Sequence, residues 1–315
     1  IRKRNMLLIS RSAGSFRSTC LRWLAMTNEL IQELSLVQWV ATAPDEQRGF
    51  REAVHIILAA IGKSADLSSR MVMKGGLLMA IRYDSTRFTR DIDFSTLEKH
   101  RQADELALLS ELDEQLVWAN DHLSYDTMCL RQNAKLNPKS PEASFPTLQI
   151  SIGYAPRSNP SHLRRLQAKQ SSTKVQIDYS FDEAVFDVEI LALEDGEQLK
   201  AYSLTNLLAE KYRSLLQQPI RRRTRRQDVF DIHMLLTRCA ALSGIEQSRL
   251  LRQVIDSCKA RGIAATQVAM TDALVREMAR ADYHGLADEI DEELPDFDSA
   301  YAMIQAFYEG LPWGN

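Results

Sequence analysis

The sequence predicts an α+β chain: a sheet-bearing domain with helices before and within it, followed by a helical domain. Three observations predict it. Short β-forming runs, "YDTMCLRQ", "LQISIGYA", "KVQIDYS" and "FDVEILAL", crowd the middle of the chain between Pro-, Asn- and Ser-rich loops such as "NPKSPEASFP" and "RSNPSH". After "EDGEQLK", the apolar residues recur at helical spacing to the end. Ahead of both, "RMVM" and "DIDFS" bracket Gly75, Gly76 and an apolar run, which reads as strand, turn, helix, strand.

Residues 1–25 are expected to lie upstream of the functional unit, because the clean helical pattern opens only at Met26. Their run "MLLI" is too short for the apolar region of a signal peptide. A helix is expected from Asn28 to Ala41 and a second from Gln47 to Ile61, where Phe50, Val54, Ile57, Leu58 and Ile61 share a face. "RMVM" enters the glycine turn as a strand, "LLMAIRY" leaves it as a helix, and "DIDFS" returns as a strand. Glu105 to Trp118 sets Leu106, Leu109, Leu112 and Leu116 on one helix face, and the four β runs follow. The helices then come as "SLTNLLAEKYRSLLQ", capped by Ser203, "QDVFDIHMLLTRC", "EQSRLLRQVIDSC", "MTDALVREMAR" and "SAYAMIQAFYEG". The expected division is an extension over 1–45, partly disordered with a helix, a core domain over 46–198 and a helical domain over 199–315.

The composition sets limits. Hydrophobic residues at 45% and charged residues at 26% over 315 residues fit a soluble globular protein with one large or two medium cores. The formal net charge of −3 gives no overall attraction to a polyanion, so any such binding must come from a local patch, and "RRRTRR" is one. Four cysteines without ligand spacing indicate neither a zinc motif nor a disulfide scaffold and fit a reducing cytoplasm. No run approaches the roughly 18 apolar residues of a membrane span.

The chemistry concentrates in "MKGGLLMAIRYDSTRFTRDIDFS". On a strand, Asp91 and Asp93 project from one face while Ile92 and Phe94 point to the core. Two convergent carboxylates repel unless a cation lies between them, and hard oxygen ligands favour Mg²⁺ or Mn²⁺. The plain alternative is an exposed pair at a strand edge. Gly75-Gly76 between strand and helix offers backbone N–H groups and a helix N-terminus to an anion; its plain alternative is a tight turn.

A glycine turn, a helix and a strand bearing Asp-x-Asp together resemble the nucleotidyltransferase superfamily. More narrowly, the segment is similar to abortive-infection toxins of the AbiEii/AbiGii type, which carry Lys-Gly-Gly, an apolar helix, Arg-x-Ser/Thr-x-Asp-hydrophobic-Asp-Phe and a downstream helical signature. Here these are Lys74, Gly75, Gly76, Arg87, Thr89, Asp91 and Asp93, then Lys211 in "YSLTNLLAEKYRSLLQ" and Asp228 and Asp231 in "RRQDVFDIHMLL". The likeness spans about residues 48–240.

It implies a nucleotidyltransferase-like mixed sheet flanked by helices with an all-helical C-terminal domain. It implies transfer of NMP from an NTP to an acceptor hydroxyl, with Asp91, Asp93 and Asp178 of "KVQIDYS" as the metal set. Asp178 is either a further ligand or the base that takes the hydroxyl proton. Gly75 and Gly76, with Lys74, Arg87 and Thr89, would hold the nucleotide, and Lys211 would neutralise its phosphates. Asp228, ranked slightly ahead of Asp231, would orient Lys211. A tRNA 3′-end as acceptor, a cognate antitoxin and a cytoplasmic, membrane-free setting complete the implication. The arginine run is heavier than that pattern requires and fits the phosphates of an RNA acceptor, or else a solvated loop. Two other readings stand beside it: a transferase that modifies a protein or an antibiotic, and a catalytically silent module that binds RNA or a partner.

Overall fold

The computed structural model describes residues 31–138, 145–194 and 196–314. The expectations placed on residues 1–25 lie outside the described residues. Among the described residues, eight strands form one mixed sheet in the order β1-β7-β8-β2-β3-β6-β5-β4. In chain order the strands are β1 (Ile31–Leu34), β2 (Val72–Lys74), β3 (Asp91–Ser95), β4 (Thr127–Asn137), β5 (Thr147–Pro156), β6 (Lys174–Ser180), β7 (Val188–Leu193) and β8 (Gln198–Tyr202). The central strand β3 runs antiparallel to β2 and parallel to β6.

Helices α1 (Leu36–Ala41), α2 (Asp45–Lys63), α3 (Ala65–Arg70), α4 (Gly75–Arg82), α5 (Gln102–His122) and α6 (Pro160–Gln167) belong to the first part of the chain. Helix α2 packs on α5 and on the sheet, and it buries a nearly continuous run from Ala53 to Ile61. Ile92, Phe94, Ile177 and Val175 are fully buried in the core. The period-two alternation of β3 and β6 therefore leaves Asp93 and Asp178 on the opposite, wetter face.

Helices α7 (Leu204–Arg221), α8 (Arg226–Arg238), α9 (Gly244–Lys259), α10 (Ala273–Arg280) and α11 (Phe297–Glu309) follow. Helix α7 is their hub: it contacts α8, α9, α10 and β8 and is buried almost without interruption from Thr205 to Gln218. Ser203 caps it by accepting from the Asn206 amide at 3.2 Å, as the sequence predicts.

Four local expectations are corrected. Residues 31–34, expected within the helix from Asn28 to Ala41, form β1, paired in parallel with β7; the helix begins only where Ser35 accepts from the Gln38 amide. The loop expected at "RSNPSH" is the start of α6, because Asn159 accepts from the Ser161 and His162 amides and Pro160 supplies a first-turn residue that needs no N–H donor. The boundary expected at 198 cuts β8, which pairs with both β7 and β2. β1 likewise brings residues of the expected extension into the sheet, so a single apolar core runs from Leu34 to Leu311. Among the described residues no helix is long and apolar enough to cross a membrane.

Candidate functional site

Sheet register builds the first wall of the site. Lys74 on β2 pairs with Asp93 on β3, Asp93 with Asp178 on β6, and Asp178 with Gln149 on β5. Residues in register share a face, so a lysine, two carboxylates and an amide form one row across four strands. Gln149 donates from Nε2 to Asp178 Oδ1 at 3.3 Å. Asp91 stands two residues before Asp93, exposed, at the start of β3.

The glycine turn is shaped around this row. Gly75 holds φ at +76°, and a Cβ there would lie 2.8 Å from the Asp93 carboxyl carbon. A Cβ on Gly76 would lie 2.8 Å from Arg87 Nη2 and 3.3 Å from Thr89 Oγ1. The first glycine admits a carboxylate against the backbone, and the second admits a guanidinium. Close approach thus requires both glycines, and the positive φ requires the first as well.

Helices α7 and α8 supply the second wall. Lys211 Nζ donates to Asp231 Oδ2 at 2.6 Å and to Asp228 Oδ1 at 3.2 Å. Arg87 reaches the same Asp231 from the loop before β3, through Nε to Oδ1 at 3.1 Å and Nη2 to Oδ2 at 3.4 Å. Asp231 is completely buried and is the junction of the two cations; Asp228, ranked above it from sequence, leaves its Oδ2 buried without a hydrogen-bond partner. Burial opposes ionisation of Asp231, yet Lys211 and Arg87 hold its carboxyl below the usual range. At Asp228, burial wins over Lys211 and Arg225 and pushes the carboxyl up.

Lys74 is enclosed rather than free to reach a ligand. Its Nζ lies 3.0 Å from Glu210 Oε1 and 3.8 Å from Glu183 Oε2. Burial works against its charge, but Glu210, Tyr202, Glu183 and Asp93 raise the ammonium above its ordinary range. Glu210 also takes Arg213 at 3.4 Å, and Glu183 takes Arg261 at 2.6 Å. Burial again opposes ionisation of Glu210, and Lys74 and Arg213 hold its carboxyl down to about 2. Glu210, Glu183, Arg213 and Arg261 went unassigned from sequence. Glu210 alone had a signal there, its place immediately before Lys211 on a helix that alternates core and site.

Between the walls lies a cleft of about 560 Å³, large enough for a nucleotide by the usual scale of roughly 300–1,000 Å³. Lys74, Gly75, Gly76, Arg87, Asp93, Asp178, Lys211, Asp228 and Asp231 all line it, with cationic side chains outnumbering carboxylates. The arginine run divides its labour. Arg221, Arg223 and Arg225 line the cleft, whereas Arg226 binds Asp282 and Glu289. Thr89 packs over Gly76 from outside the cleft, and Asp91 does not line it.

Asp93 carries the clearest imbalance. Burial pushes its carboxyl up to about 7, Asp178 and Asp91 add to the rise, and Lys74 only partly offsets it. A carboxylate so placed fits a hard cation. Among the described residues no three carboxylate, histidine or cysteine groups converge on one point. This arrangement suits Mg²⁺, which is held by one or two carboxylates and keeps its other positions for water and phosphate oxygens.

The fold has a known parallel. MenT4, a nucleotidyltransferase toxin of Mycobacterium tuberculosis H37Rv, matches with a TM-score of 0.51 at 12% identity, over 88% of this chain and 89% of its own. JHP933 of Helicobacter pylori matches with a TM-score of 0.48 at 13% identity, over 85% of this chain and 92% of its own. No curated protein sequence matches the chain. The family model of the nucleotidyl transferase AbiEii toxin of type IV toxin–antitoxin systems matches residues 56–303, and the chain belongs to that family of nucleotidyltransferases.

Proposed function

We propose that this nucleotidyltransferase transfers NMP from an NTP to the terminal hydroxyl of an RNA acceptor, a tRNA 3′-end, with Mg²⁺ (or Mn²⁺) held by Asp93 and Asp178, the two carboxylates of the expected metal set that line the cleft. The observation that carries the reading is the row Lys74–Asp93–Asp178 facing the Lys211–Asp231–Arg87 wall across one cleft. The glycine turn and Lys211 bind the triphosphate, and Asp231 fixes Lys211 and Arg87 against each other. Lys74, held by Glu210 and Glu183, positions Asp93. The divalent ion, when bound, supplies positive charge that draws electrons from the phosphates.

Asp178 takes the proton from the acceptor hydroxyl as its oxygen forms a bond to the α-phosphorus. The bond from that phosphorus to the bridging oxygen breaks, and pyrophosphate carries the electron pair away. Arg221, Arg223 and Arg225 favour a polyanion as acceptor over a cationic antibiotic or a neutral protein hydroxyl. NTP and RNA together place the reaction in the cytoplasm, where a cognate antitoxin restrains it.

The purified chain with Mg²⁺ and each α-³²P-labelled NTP should label total RNA, and Asp93→Ala should abolish the label. Label appearing in protein extract or on small acceptors instead would overturn the choice of acceptor. The absence of label in all three would overturn the transfer.

A further inference from the structure

Beside the cleft lies a second cavity of about 230 Å³, and among the described residues Arg87 is the one that lines both. The proposed transfer makes no use of it. Its walls include Trp39 on α1, Phe50 and Arg51 on α2, Leu77 on α4, and Ser85 and Phe88 on the loop that enters β3. At this size it falls below the roughly 300 Å³ at which small-molecule sites usually begin, and so suits one ring system rather than a nucleotide with its phosphates.

The lining has the chemistry that recognises such a ring. The Arg51 guanidinium lies 4.8 Å from the Trp39 ring centroid, and the Phe50 and Phe88 rings meet at 5.7 Å with an interplanar angle of 57°. Phe88 is 37% exposed, a large apolar surface at the rim. The Oγ of Ser85 is buried in the wall with no hydrogen-bond partner, and Asp84 and Asp291 add acceptors. Aromatic and guanidinium planes with a few polar edge groups are what bind unpaired bases.

The cavity is preformed and well placed. The Phe88 amide donates to the Glu289 carbonyl at 2.8 Å, and Arg87 bridges to Ile290, so the C-terminal region pins the loop. The same loop supplies Thr89 to the cavity and leads, two residues on, into β3, whose Asp93 lines the cleft.

We propose that this cavity is a binding site for a single unpaired nucleobase, held next to the catalytic carboxylates by stacking. The base arrives on the acceptor strand or on a free nucleotide. The inference extends the proposed RNA acceptor, but its test reads binding and does not need transfer.

Titration calorimetry with the four ribonucleosides and with a single-stranded RNA tetramer, in Mg²⁺ and saturating α,β-methylene NTP, separates this cavity from the cleft. Binding should persist with the cleft filled, and should weaken about tenfold in Phe88→Ala and in Arg51→Gln. Thermal melting checks that each variant folds, and either one alone suffices. Tighter capture of the tetramer than of the nucleosides assigns the base to the acceptor strand; equal capture assigns it to a free nucleotide. Binding that is absent, that the NTP analogue displaces, or that both variants leave unchanged overturns the site. If RNA labelling fails while Phe88-dependent binding survives, the acceptor reading falls and the site stands.

Discussion

Gly75 and Asp93 are built against each other: the glycine takes φ +76°, and the carboxyl carbon of Asp93 sits 2.8 Å from where a Cβ would be. Gly75→Ala would therefore meet two obstacles, a left-handed backbone and a blocked carboxylate. Gly196, at φ +88° with nothing within 4 Å, meets only the first. Gly196→Ala should cost about 1 kcal/mol and keep activity. Gly75→Ala should cost more, about 1–3 kcal/mol, and should lose transfer because Asp93 must move. Urea denaturation and RNA labelling on the pair check this; equal behaviour of the two variants would mean that the Gly75–Asp93 approach has no role.

The two aspartates on α8 should separate cleanly. Asp231→Asn removes one charge from between Arg87 and Lys211, leaving two buried cations, and should cost about 3–5 kcal/mol. Asp228→Asn keeps an acceptor for Lys211 and removes a carboxylate whose Oδ2 is already unpartnered, so its cost should stay near about 1 kcal/mol. Denaturation midpoints at neutral pH measure both. A larger loss for Asp228→Asn would reverse the assignment of Asp231 as the junction.

Much of this site is legible in sequence wherever the contact is local or periodic. β6 alternates Val175, Ile177 and Tyr179 inward with Gln176 and Asp178 outward, and its whole extent follows from that period. The Gly-Gly turn and Asp-x-Asp are likewise neighbours on the chain. The Arg87–Asp231 pair is not, because the two are 144 residues apart and only the fold brings them together. β1 and β8 escape notice for another reason. "IQEL" and "QLKAY" are too short to show a period, and pairing with β7 and β2, rather than local propensity, makes them strands. Sequence cannot put Asp231 ahead of Asp228, because i and i+3 on a helix are equivalent until the partner's position is known.

The pH dependence of stability should carry the mark of Asp93. In the fold its carboxyl is pushed up to about 7 from an ordinary 3.8, so the folded state holds a proton that the unfolded chain releases. This contribution is fully present below 3.8 and is lost as pH rises through about 7. Glu210 has the opposite sign: held down to about 2, it contributes above its ordinary 4.5 and loses that only as pH falls toward 2. Between 4.5 and about 7, metal-free protein should weaken with rising pH by less than about 1.4 kcal/mol per unit, since the Asp93 carboxylate opens onto the cleft and is partly screened. Asp93→Asn should remove the slope. Mg²⁺, competing with the proton, should raise the melting temperature more at pH 8 than at pH 5. Denaturation in EDTA and in Mg²⁺ across this range tests both; identical slopes for wild type and Asp93→Asn would sink the assignment.

The arginine run should split by salt dependence. Arg221 and Arg223 are exposed on the lining of the cleft, whereas Arg226 is tied to Glu289 at 2.7 Å and to Asp282. If the first two meet RNA phosphates, each releases a counterion on binding. Replacement by alanine should then flatten the plot of log affinity against log salt by about 0.7 for a single strand or about 0.9 for a duplex. Arg226→Ala should leave that slope alone and instead cost about 1 kcal/mol of stability through the loss of its partly buried pair with Glu289. Fluorescence anisotropy of labelled RNA over a KCl series, with melting curves on the same samples, distinguishes the two roles. A slope unmoved by Arg221→Ala and Arg223→Ala together would remove the phosphate backbone from this side of the cleft and leave the acceptor to be held from the Asp178 side alone.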